Sequence, residues 1–143
     1  MKWITRAHVH VDRVACPWLI KRFIDSDAEF HFVSKALVEK EAELLGAIPF
    51  DVPEAELGHR DGHCSFVSIV EKYGLEDPAV LAIADVVNAA DTGHLDANPY
   101  APGLEAIAQG FSLLHPDDFE NLELQFKVYD ALYDFFKLQS NKK

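Results

Sequence analysis

Cysteine is scarce in this chain: Cys16 and Cys64 are the two thiols in 143 residues. Two thiols make at most one bridge, so a disulfide framework is excluded. Positive charge is scarce too, with 13 Lys and Arg against 24 Asp and Glu and a formal net charge of -11. That balance, with no basic run to offset it, argues against nucleic-acid binding by this module. It leaves room for a local cationic pocket that takes a small anion. No apolar run approaches the roughly 18 residues that a membrane span requires, so no membrane partner is expected. The amino end, Met1-Lys2-Trp3-Ile4-Thr5-Arg6, runs on into His8, His10 and Asp12 rather than into the apolar stretch of an export signal. A cytoplasmic location with reduced thiols is the matching expectation. A Gly-rich phosphate loop and a serine-nucleophile motif are both missing.

What is present is a globular composition, 49% hydrophobic and 26% charged, long enough for one domain over residues 1–143. Trp3-Ile4-Thr5 is β-prone. Pro17 suits an early helical position, with Cys16 near the cap, and Leu19, Ile20, Phe23 and Ile24 make one apolar face. Ala28 to Val33 alternates as a strand with Phe30 and Phe32 inward. Ser34 starts a helix that Gly46 stops after Leu45. Ile48 to Val52 alternates again, and Pro49 places it at a sheet edge because proline has no amide hydrogen. The β-α-β-α-β order predicts a small three-stranded parallel sheet. The rest reads as helical: Ser65–Tyr73 before Gly74, Asp77-Pro78 to about Asp91, a helix opened by Pro102, and a last helix from about Pro116. The fold class is therefore α/β to α+β, with a mainly helical carboxyl-terminal half. In the last helix Phe119, Leu122, Phe126, Tyr129, Tyr133 and Phe136 repeat at three and four, which predicts a seam that seals the core. The same helix offers a face for a homodimer.

In parallel sheets, functional groups gather beyond the carboxyl ends of the strands. The first strand leads to His8, His10, Asp12, Arg13 and Cys16; the third leads to Glu54, Glu56, His59, His63 and Cys64. A third set, Asp91-Thr92-Gly93-His94, ends a helix. Two chemistries follow. A thiol at a helix amino terminus beside Arg13 favours thiolate, and the same amides and guanidinium suit an oxyanion. The ligand-binding candidates are then Asp12, Arg13, Cys16 and Arg22, although Arg22 also has a stacking partner in Trp18 four residues earlier. His59, His63, Cys64 and Asp91 combine nitrogen, sulfur and oxygen donors, and a divalent metal ion is the cofactor they would take. Three functions stay open: a module binding a small anion or metal, a thiol- or metal-assisted reductase or hydrolase acting on a small substrate, and a structural or interaction domain.

The run Asp12-Arg13-Val14-Ala15-Cys16-Pro17-Trp18-Leu19-Ile20, with Arg22-Phe23-Ile24-Asp25 after it, resembles the signature of the ChrB-type chromate-resistance family. The resemblance continues through Pro49-Phe50-Asp51-Val52-Pro53, His59 and Cys64-Ser65-Phe66, Ala90-Asp91-Thr92, and Val128-Tyr129-Asp130-Ala131-Leu132-Tyr133. It implies a single ChrB-like domain, the family's carboxyl-terminal module standing alone, that binds or senses a chromate-like oxyanion or a metal. Longer members carry a further amino-terminal portion linked to transcriptional control. One departure is Val67, where the family commonly has an acid.

Overall fold

A computed structural model describes residues 1–53 and 55–141; Glu54, one of the third-strand candidates, lies outside them. The central strand β1 (Lys2–Arg6) pairs in parallel with β2 (Glu29–Val33) on one side and with β3 (Ile48–Pro49) on the other. The order is β2-β1-β3. Both crossovers are helical: α1 (Asp12–Leu19) lies between β1 and β2, and α2 (Val38–Leu45) between β2 and β3. Pro49 sits on an edge strand, where its missing amide costs nothing. Gly46 adopts the left-handed conformation, φ 65°, that ends α2.

Helix α1 begins earlier than the sequence suggests. Pro17 falls inside it, and Cys16 is a helical residue rather than a cap. The chain turns into α1 at Val11, whose φ of 26° is an unusual conformation for a β-branched residue. The amides of Arg13 and Val14 find the carbonyls of His10 and Val11, so the first turn forms without a side-chain cap. Pro17 removes one amide from the ladder, and the helix widens into a π-type turn over Ile20–Ile24. Tertiary burial of Val14, Ala15, Cys16, Trp18 and Leu19 outweighs the proline cost.

The second half is helical. Helices α3 (Ser65–Lys72), α4 (Pro78–Asp91) and α6 (Asp118–Asn141) pack against α1, and α5 (Ala101–Leu114) packs against α4 and α6. Asp77 caps α4 by accepting the Ala79 amide, and Pro78 fills the first helical position. On α6 the apolar stripe seals the core through fully buried Tyr129 and through Leu122, while Phe126, Tyr133 and Phe136 pack at its margin. Phe119 departs from the stripe: it is largely exposed, with an edge contact to Phe32. Among the described residues, no helix is long and apolar enough to cross a membrane.

Candidate metal centre

The site is built where α1, α3, α4 and the segment after β3 converge. Asp12 occupies the first turn of α1 and is completely buried. Its carboxylate does not cap its own helix. It accepts the amides of Ser65 (2.8 Å) and Phe66 (3.1 Å) at the start of α3, and the Cys16 thiol donates to it at 3.3 Å. The unpaired amides and positive end of α3 thus hold a charge from a distant segment. Asp51 follows β3 at φ 49° and is 7% exposed. Ser65 Oγ donates to it at 3.0 Å, and Arg13 Nη1 at 3.4 Å. Asp91 is the last residue of α4, at a helix end that disfavours an anion.

His59 closes the group. Its Nε2 lies 2.9 Å from Asp91 Oδ2, 3.3 Å from Asp51 Oδ1 and 3.7 Å from Asp12 Oδ2. Ligand atoms of Asp12, His59 and Asp91 all fall within 4.8 Å of one another, a spacing that fits one metal ion. The loop that delivers His59 is held by Gly58, whose carbonyl accepts from Ser68 Oγ at 2.7 Å. A Cβ at Gly58 would stand 2.6 Å from the Val52 carbonyl oxygen, so the loop closes this tightly only around glycine.

Three carboxylates this close and this buried oppose one another's ionisation. Burial pushes the Asp12 carboxyl well up, and the charges of Asp51 and Asp91 push it further; the Ser65 amide and the Cys16 thiol pull it back. Asp91 is also raised, by burial first and Asp51 second, with His59 and Arg13 opposing. Arg13 is the guanidinium in contact with the group, and it is shared: Nη2 donates to the His8 carbonyl at 2.9 Å.

The other candidate residues fall elsewhere. Cys16 and Cys64 are free and buried. Burial, followed by the Asp12 charge, raises both thiols, so the expectation of a thiolate at Cys16 is reversed: the helix start that would favour it lies a turn away and a carboxylate stands beside it. Cys64 supplies its backbone amide to Asn88 Oδ1. His63 sits in a tight turn with Arg60 and makes no ion pair among the described residues. His94 meets Thr92 Oγ1 at 2.9 Å. Arg22 pairs with Asp130 on α6 through two 3.0 Å bonds and lies over Phe126, rather than stacking on Trp18. Trp18 Nε1 donates to the same Asp130 at 2.8 Å. Val67 packs against the core. Sequence reasoning missed Asp51 and Ser65 as site residues. The readable signals were an acid just past the carboxyl end of a strand and a serine at a helix start.

The family model described as ChrB, C-terminal domain, matches residues 3–136. This chain belongs to that ChrB C-terminal domain family. It is 33% identical over 136 residues to Protein ChrB of Cupriavidus metallidurans, a match covering 94% of this chain and 40% of that protein. The chain thus spans about two fifths of the length of that ChrB relative. No solved structure matches the chain. The ChrB-type signature in Asp12–Leu19 is helix α1, and its Asp12 reaches the cluster completed by Asp51, His59 and Asp91.

Proposed function

We propose that this ChrB-type domain binds a divalent transition-metal ion through Asp12, Asp91 and His59, with Asp51 beside them, and that metal binding is its part in chromate resistance, in the cytoplasm. The observation that carries the reading is the convergence of three carboxylates on one imidazole nitrogen, with the Arg13 guanidinium in contact with Asp51. Buried carboxylates in that state need a proton or a cation. Mixed oxygen and nitrogen donors suit Mn²⁺, Fe²⁺ or Zn²⁺ better than the all-oxygen cages of Ca²⁺. The same charge weighs against a bare oxyanion at Asp12, Arg13 and Cys16, because the carboxylates would repel it. The buried, raised thiols likewise give a thiol-assisted enzyme little support. A homodimer through α6 remains part of the proposal, on the face where Phe135 and Leu138 are exposed.

Chelator-treated protein titrated with Mn²⁺ and Zn²⁺ in a calorimeter tests the metal reading. One ion per chain should bind, and His59→Ala should weaken it about tenfold or more while the protein stays folded. No heat with either ion in the wild type, or undiminished affinity in His59→Ala, rejects the site as described.

A further inference from the structure

Asp51 and His59 of the acidic cluster also line a cavity of about 320 Å³, together with Arg6 and Lys35. That volume lies at the lower end of small-ligand pockets. Arg6 ends β1, and Lys35 opens the short 3-10 turn that follows β2. The two strands are parallel neighbours, with Arg6 opposite Val33, so the topology brings both cations to the same rim as the cluster. Among the described residues, neither cation forms an ion pair. Arg6 Nε is buried and has no hydrogen-bond partner. A buried guanidinium nitrogen without an acceptor is costly unless something brings one.

We propose that this cavity binds a doubly charged oxyanion group, held by Arg6 and Lys35 together with the metal bound at His59. The proposal rests on the metal reading and names the ligand class that the same site takes. Charge fixes the order of events. Without the cation, Asp51 faces the cavity and opposes an anion; with it, the wall becomes attractive. Metal and oxyanion therefore bind with positive coupling, and each tightens the other. Arg6 contributes the planar fork that matches two oxygens of such a group, and Lys35 contributes a mobile point charge. The group is either a free inorganic ion or the terminal group of a larger organic ester, and the two sources differ in what fills the remaining volume near Val52 and Pro53.

The experiment titrates inorganic phosphate, phenyl phosphate and acetate into Mn²⁺-loaded and chelator-treated protein, with Mn²⁺ affinity measured separately for each variant. Phosphate should bind the loaded wild type more tightly than the metal-free form, and more tightly than acetate. Tighter phenyl phosphate than phosphate identifies an ester as the source; the reverse identifies a free ion. Arg6→Gln and Lys35→Gln should each weaken phosphate about tenfold or more, with Arg6→Lys intermediate, while Mn²⁺ affinity is unchanged or improved. Lys35 is exposed, so its variant tests the proposal even if Arg6→Gln folds poorly. Absence of phosphate binding by the loaded wild type, or equal affinity in wild type and Lys35→Gln, overturns it. If the wild type takes up no Mn²⁺, the metal reading has failed separately. Phosphate binding to the metal-free protein that is lost in Lys35→Gln then retains the cation pair, and no such binding rejects it.

Discussion

Asp12 caps a helix that begins 53 residues later: its Oδ2 accepts the Ser65 amide at 2.8 Å, where α3 has no side-chain cap of its own. One carboxylate therefore has two duties, ending a helix and supplying charge to the cluster. Substitutions can separate them. Asp12→Asn keeps an acceptor and removes the charge. Asp12→Ala removes both, leaving the Ser65 and Phe66 amides without partners, and should cost about 1–3 kcal/mol in denaturant unfolding. Asn should be clearly the more stable of the two in metal-free protein, yet both should lose metal. Retained metal affinity in Asp12→Asn would remove Asp12 from the ligand set.

The cluster also sets a pH dependence. Asp12 and Asp91 have folded-state values raised above those of the unfolded chain. For a raised acid the penalty is absent when both states are protonated, below the ordinary carboxylate range near about 4. It grows as pH rises through the folded value. Metal-free protein should therefore lose stability from about pH 4 toward neutrality through these two groups. Acids lowered by their partners, among them Asp25, Glu56 and Asp130, act in the opposite sense, below that window. Metal should reverse the trend, because it takes the ionised carboxylates and releases protons. Thermal melts between pH 5 and pH 8, with and without Mn²⁺, would show this. A metal-free protein with a flat profile, unchanged by Asp12→Asn, contradicts it.

Thiol chemistry gives a further check. Cys16 and Cys64 are buried, and burial followed by the Asp12 charge pushes both thiols up. A thiol reagent such as iodoacetamide should label native protein far more slowly than urea-unfolded protein at the same pH. Rapid labelling of Cys16 in the native state would restore a reactive thiol and the enzymatic reading that depends on it.

Arg22 and Asp130 offer a control outside the site. Both side chains are close to half exposed, so the ion pair itself is worth about 0–1 kcal/mol. Asp130→Ala should destabilise more than Arg22→Ala, since it also strips the acceptor from buried Trp18 Nε1. Neither should alter metal affinity. A metal defect in Arg22→Ala would tie this residue to the ligand after all.

The parallel sheet was legible because strand and helix periods alternate cleanly from Trp3 to Val52, and Pro49 marks an edge by its missing amide. His59 and Asp91 were legible as donors, Asp12 as a polar residue in an apolar run. Their grouping was less so. Asp51 reads as the polar half of a strand alternation, and nothing local signals that its backbone turns to φ 49°. The start of α1 was misjudged because Pro17 is a strong local marker, whereas the turn at Val11 is imposed by packing. Arg22 belongs to the same motif as Arg13, but its partner Asp130 lies 108 positions away on α6, beyond what short-range pattern can pair.

The central place of β1 bears on how the chain is made. Within this domain β1 is made before β2 and β3 and must pair on both edges, and each partner waits for a helix to be synthesised and folded back. Until β2 emerges, Trp3 and Ile4, fully buried in the finished molecule, have no sheet to join. While the rest of the domain is being made, β1 is thus a β-prone apolar segment without its partners, a state that invites intermolecular strand pairing. Solubility during expression should respond more sharply to changes in residues 2–6 than to equivalent changes at the exposed carboxyl end of α6.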